Sequence, residues 1–139
     1  VNGRLIQSWS DDGGFTWSKM NPIMLPNPNS GVDGVTLSDG RQLLVYNHST
    51  RNQPNMGHKG RGIINVALSR DGINWEASLV LDCKDGKGRQ FAYPAVHIVY
   101  TWHRARIKHV VLDTAKLKTN PMPNGQWPKD KIPWIKSQD

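Results

Sequence analysis

The chain is short of the features that hold many small proteins together or place them in a membrane. It has one cysteine, Cys83, so no internal disulfide can form and the redox compartment stays open. It has one glutamate, Glu76. No apolar run approaches the ~20 residues that a membrane-spanning helix needs, and no stretch keeps a sustained 3.6-residue apolar period. No charged-then-apolar leader follows Val1, so no signal peptide is expected. The glycine patterns that cradle polyphosphates and the G-x-S-x-G nucleophile elbow are both missing. A helical domain, a disulfide scaffold and nucleotide chemistry are therefore not the expected readings.

What remains suits strands and turns. The 139 residues include 13 Gly, 9 Pro and 6 Trp, enough length for one domain with a buried core. Strand signals rich in Val, Ile, Leu, Tyr or Trp fall at 4–9, 32–37, 42–47, 62–68, 79–82, 91–102 and 107–112, most of them separated by Gly, Asn, Asp or Pro. Ser38-Asp39-Gly40-Arg41 reads as a hairpin turn, since its glycine takes positive φ at little cost. The fold class is all-β. Two segments stand apart. Residues 48–61 are polar and read as a long surface loop. Residues 114–139 carry Pro121, Pro123, Pro128 and Pro133 among lysines, so this tail is expected to be extended or disordered, with Trp127 and Trp134 available to dock on a neighbouring surface.

The net charge of +7 is uneven: −1 over residues 1–50, +6 over 51–112 and +2 over 113–139. A basic middle attracts an anionic ligand, whether a sugar carboxylate or a phosphate backbone. The plainer reading is a solvated surface.

Self-similarity is the more specific signal. Ser10-Asp11-Asp12-Gly13-Gly14-Phe15-Thr16-Trp17 reads S-x-D-x-G-x-T-W. Fifty-nine residues on, Ser69-Arg70-Asp71-Gly72-Ile73-Asn74-Trp75 repeats it one residue shorter. The chemistry is that of a hairpin loop. The aspartate accepts backbone N–H groups across a tight turn, the serine hydroxyl adds another bond, and Gly14 or Gly72 relieves positive φ. The closing Trp17 or Trp75 is expected to pack beneath its loop.

This motif resembles the Asp-box, or BNR repeat, of sialidases (neuraminidases) and their relatives. Residues 27–47 and 60–75 are similar to the inner strands, third strand and box of one blade, and residues 91–96 and 98–113 to a last blade. The resemblance implies a partial β-propeller over residues 1–113, about two to three four-stranded antiparallel blades of a six-bladed ring, one of them complete at roughly 31–82. Residues 114–139 would follow as a Pro/Lys-rich tail. The rest of the propeller is missing from this chain. The boxes, through Ser10, Asp12, Gly14, Trp17, Ser69, Asp71, Gly72 and Trp75, are structural in that family and lie away from its catalytic centre.

Sialidases use a tyrosine nucleophile rather than a carboxylate pair. An anionic substrate would repel a carboxylate nucleophile, and the tyrosine needs a neighbouring base. The resemblance puts Tyr93 at the nucleophile's position, Asp33 nearest to its partner's, and Arg61, Arg51 and Asn47 among candidate substrate contacts, the arginines through a bidentate fork. The plainer alternatives are a buried Tyr93 packed on Pro94 and solvated loop arginines. The chain also departs from the family. Glu76, its one glutamate, follows Trp75 at the box. The first arginine motif and the acid/base aspartate of an early blade are absent. Val96 runs straight into His97, with no turn residues before the YTW segment.

His97, His103 and His109 recur every six residues, but no Cys or carboxylate joins them at ligand spacing, so no metal or other cofactor is expected. Three functional readings stand. The first is a fragment of a sialidase-like exo-glycosidase, a hydrolase of terminal sialosides that is inactive as this fragment. The second is a non-catalytic propeller module that binds glycans or proteins. The third, a nucleic-acid binder, lacks a recognisable module or stacking platform. The expected partner is a carbohydrate, with no membrane span.

Overall fold

The computed structural model describes residues 3–54, 56–83, 91, 98–102 and 106–131. Along the chain they form β1 (Arg4–Gln7), β2 (Asn21–Pro26), β3 (Asp33–Thr36), β4 (Gln42–Tyr46), β5 (Ile63–Ser69), β6 (Trp75–Cys83), β7 (Val99–Trp102), β8 (Arg106–His109) and β9 (Asn120–Pro121), with short 3₁₀ turns and no α-helix among the described residues. The strands make three antiparallel sheets, β1-β2, β3-β4-β5-β6-β9 and β7-β8. The all-β expectation holds, and β3 to β6 are a four-strand meander over the stretch read as one blade. No closed ring forms among the described residues.

Side-chain alternation decides how the sheets stack. On β4, Leu43 and Val45 face one way while Leu44 and Tyr46 face the other. On β5, Ile64, Val66 and Leu68 share the first face and Ala67 takes the second. The first face packs against Phe91, Ile98 and Tyr100 of the β7 side, and the second against Leu25 of β2 together with Met122 and Trp127 of the tail. The central sheet is thus covered on both sides, and every residue of β5 is buried. Two register shifts between β5 and β6 put Leu79 and Leu81 on the first face yet Ala77 and Val80 on the second.

Both boxes are hairpin loops, between β1 and β2 and between β5 and β6. In the first, the Gly14 N–H donates to Ser10 Oγ at 2.8 Å, and Asp12 accepts the Thr16 N–H at 2.9 Å and its hydroxyl at 2.6 Å. In the second, the Gly72 N–H donates to Ser69 Oγ at 2.9 Å, and Asp71 accepts the backbone N–H groups of Ile73 and Asn74 at 2.8 and 2.7 Å. The indoles of Trp17 and Trp75 donate back to Gly14 O and Gly72 O. The second box also joins two sheets. Gln7 Nε2 donates to Gly72 O at 2.7 Å, and a Cβ at Gly72 (φ +71°) would lie 2.6 Å from the Trp9 ring.

Four expectations are corrected. Trp17 is 65% exposed, because its hairpin is a two-stranded sheet and no described element covers that end. Residues 48–61 are not simply a surface loop. His48, Ser49, Met56 and Gly60 are buried, held by the Ser49 hydroxyl donating to Gly60 O and by Gly62 N–H donating to Met56 O at 2.6 Å. The tail, through residue 131, is packed rather than loose. β9 pairs with the outer edge of β6, Ser78 Oγ donates to Lys118 O at 2.9 Å, and Met122 and Trp127 are buried. The strand read over 91–102 is not continuous, since Ile98 sits at φ +42° before β7 begins. Residues 92–97 and Trp134 lie outside the described residues.

The two tryptophans should separate in stability. Trp75 is half-buried against the second face, so Trp75→Ala should cost roughly 2–4 kcal/mol. Trp17→Ala should cost less than about 1 kcal/mol. Urea midpoints at unchanged m-values measure both, and equal shifts would contradict the packing described.

Candidate functional site

Strand direction brings the start of β3, the end of β4, the start of β5 and the end of β6 to one end of the central sheet, opposite both the Ser38–Arg41 turn and the second box. Three sequence-predicted residues gather there. Asp33 opens β3, half-buried and paired in register with Val45. Asn47 follows β4, fully buried, and its amide nitrogen donates to Ile63 O and to Phe91 O. Its Oδ1 has no partner among the described residues. Arg61 precedes β5. Its Nη2 donates to Asn29 O at 2.9 Å, its carbonyl accepts the Phe91 N–H at 2.7 Å, and its Nε is buried without a partner. Arg51 is exposed in the turn after Thr50. Tyr93 lies outside the described residues, although Phe91, two positions before it, is clamped by Asn47 and Arg61.

Five of the other carboxylates among the described residues are engaged in the fold. Asp12 and Asp71 sit inside the boxes, where hydrogen bonds from Thr16 and from Asn74 and Ile73 hold them below the usual carboxylate range, Asp12 down to about 2. Asp39 pairs with Arg41 at 2.7 Å, whose guanidinium depresses its pKa, and Asp113 caps the turn at Thr114. Asp82 binds Lys108 Nζ at 2.9 Å, with the Tyr100 hydroxyl 3.5 Å away. Burial raises the Tyr100 pKa. Glu76 pairs with Pro121 at the box end of β6, far along the strand from Asp33's end of the sheet. Among the described residues no three His, Cys, Asp or Glu side chains gather as metal ligands.

One constellation escaped the sequence reading. His48, 8% exposed, holds Nδ1 2.5 Å from the Tyr46 hydroxyl and meets Trp127 edge-on, with ring centroids 5.3 Å apart. Burial pushes the imidazole down to about 4 and raises the Tyr46 phenol well above its ordinary value, so both are neutral near pH 7. The signal that could have found it is the Tyr46-x-His48 spacing at a strand end, which puts both rings on one face.

Set beside known proteins, the chain matches a family described as a BNR repeat-like domain, over residues 2–107. No curated protein and no solved structure gives a significant match.

The buried His48 and the two box aspartates set a two-stage pH dependence. His48 has a folded pKa near 4 against an ordinary 6.5, so its stabilisation is complete above about pH 6.5 and is lost as pH falls toward 4, by roughly 3 kcal/mol. Asp12 and Asp71 act lower: their depressed pKa values contribute stability above about pH 3.8 that is lost as pH falls through the folded values. Urea unfolding from pH 8 to 3 should therefore weaken first between 6.5 and 4. His48→Gln should remove that first step and leave the acid-side one.

Proposed function

The chain belongs to the BNR repeat-like family, and from that membership we propose that it works as a non-catalytic glycan- or protein-binding segment of an Asp-box propeller. The observation that carries this reading is the use made of the carboxylates. Asp12, Asp39, Asp71, Asp82 and Asp113 hold loops, turns or a lysine in place. A glycosidase needs carboxyl groups flanking the scissile bond, or a tyrosine with an adjacent base. Two carboxylates stand at the strand ends where Asn47 and Arg61 gather, Asp33 and Asp82, and the second is tied to Lys108. A propeller presents binding groups at such ends without needing an acid/base pair, and one fold serves many functions.

The second reading is a sialidase-like exo-glycosidase whose remaining groups are supplied by a longer chain. It is favoured by the meeting of Asp33, Arg61 and Asn47 at the end where Phe91 is anchored. Tyr93 would be the nucleophile, Asp33 its partner, and Arg61 and Arg51 carboxylate contacts.

A fluorogenic α-sialoside separates the two. Residues 1–139 should release no fluorophore, while an immobilised non-hydrolysable sialoside or another glycan should retain the chain, and Arg61→Gln should reduce that retention. Steady release that Tyr93→Phe abolishes would install the glycosidase reading instead.

A further inference from the structure

On the second face of the central sheet lies a cleft of about 560 Å³ that the preceding reading does not use. Its walls come from four places in the sequence: Arg4 at the start of β1, Met24 of β2, His48 and Thr50 after β4, and Trp127 and Lys129 of the tail. Asn47 and Phe91, by contrast, meet on the opposite face, so the two sites are independent.

The lining has a definite chemistry. Among the described residues it includes two cations, Arg4 and Lys129, and no carboxylate. Tyr46 remains a phenol and shares a hydrogen bond with His48 Nδ1, which leaves the imidazole Nε2 free of that contact. The Trp127 indole N–H has no hydrogen-bond partner among the described residues, in a side chain only 6% exposed. The walls are also held firmly. A Cβ at Gly125 would collide with the Met24 carbonyl oxygen, so the tail backbone lies directly on β2. The volume falls within the range of small-molecule sites.

We propose that this cleft binds a small organic anion, a carboxylate or phosphate ester, with Arg4 and Lys129 on the charge and the His48–Trp127 wall contacting the rest of the ligand. The occupant is a small molecule because the cleft is bounded by the tail on one side and the loop after β4 on the other. Anionic oxygens suit it because the charged side chains of its described lining, Arg4 and Lys129, are both cations.

Titration calorimetry on the whole chain with glycerol 3-phosphate, glycerate and glycerol tests this. The two anions should bind and glycerol should not; the stronger anion identifies which headgroup the cations fit. Arg4→Gln with Lys129→Gln should weaken anion binding about tenfold or more, the loss of charge-assisted contacts. Lys19→Gln, exposed and not part of the cleft's lining, should leave it unchanged. An unchanged tryptophan emission spectrum would show that the double variant keeps Trp127 packed. Binding of glycerol as tight as that of the anions, equal affinity in the double variant, or no anion binding at about 10 mM would overturn the proposal. None of these results bears on sialoside retention through Arg61.

Discussion

A sheet that is apolar on both faces has to be covered twice, and this requirement organises the molecule. β5 is buried along all seven residues, and its neighbours send Leu43 and Val45 to one side, Leu44 and Tyr46 to the other. Such a strand reads as a continuous apolar run instead of an alternating one. Each face then recruits its own cover. The β1-β2 hairpin and the tail close one side, and Phe91, Ile98 and Tyr100 close the other. Burial of apolar area at roughly 25 cal/mol per Å² makes these covers part of the fold rather than appendages.

The boxes let short hairpins serve that purpose with little chain. A carboxylate that accepts backbone N–H groups closes the turn internally, so the loop needs no support from a neighbour. The exposed first box shows this: its hydrogen bonds are intact although Trp17 is 65% exposed. The second box goes further, since Gly72 also receives Gln7 and the face of Trp9. A loop that is closed on itself can still act as a contact for the adjacent sheet.

What was legible in the sequence follows from this division. The boxes were legible because Ser, Asp, Gly and Trp recur at fixed spacing, and the meander of β3 to β6 because its strands alternate between clear turns. β2 was missed, since Pro22 and Pro26 bracket it and proline counts against a strand. The tail was misread for the same reason: proline density reports lost ladder donors, yet β9 needs only two residues, and Met122 and Trp127 supply the burial. His48 sits in a polar run and was read as loop. Its burial depends on Trp127, 79 positions away in the chain, and no local pattern carries that contact. Of the site residues, Asp33, Asn47 and Arg61 were placed by strand ends, which sequence patterns do locate. Asn47's amide donors proved to be tied to backbone carbonyls, a detail that only the packing of Phe91 reveals.

The sheet's two edges explain why polar side chains gather at its end. β9 pairs with β6 and occupies one edge. β3, the other, is four residues long and begins with Asp33, and a short, charged strand is a poor template for pairing with a second chain. With both faces covered and both edges guarded, polar groups can converge only where strands stop. There Asn47 and Arg61 turn toward Phe91 on one face, while His48 turns toward Trp127 on the other. A single residue step along the chain, from Asn47 to His48, thus separates two chemically different surfaces at the same end of one sheet.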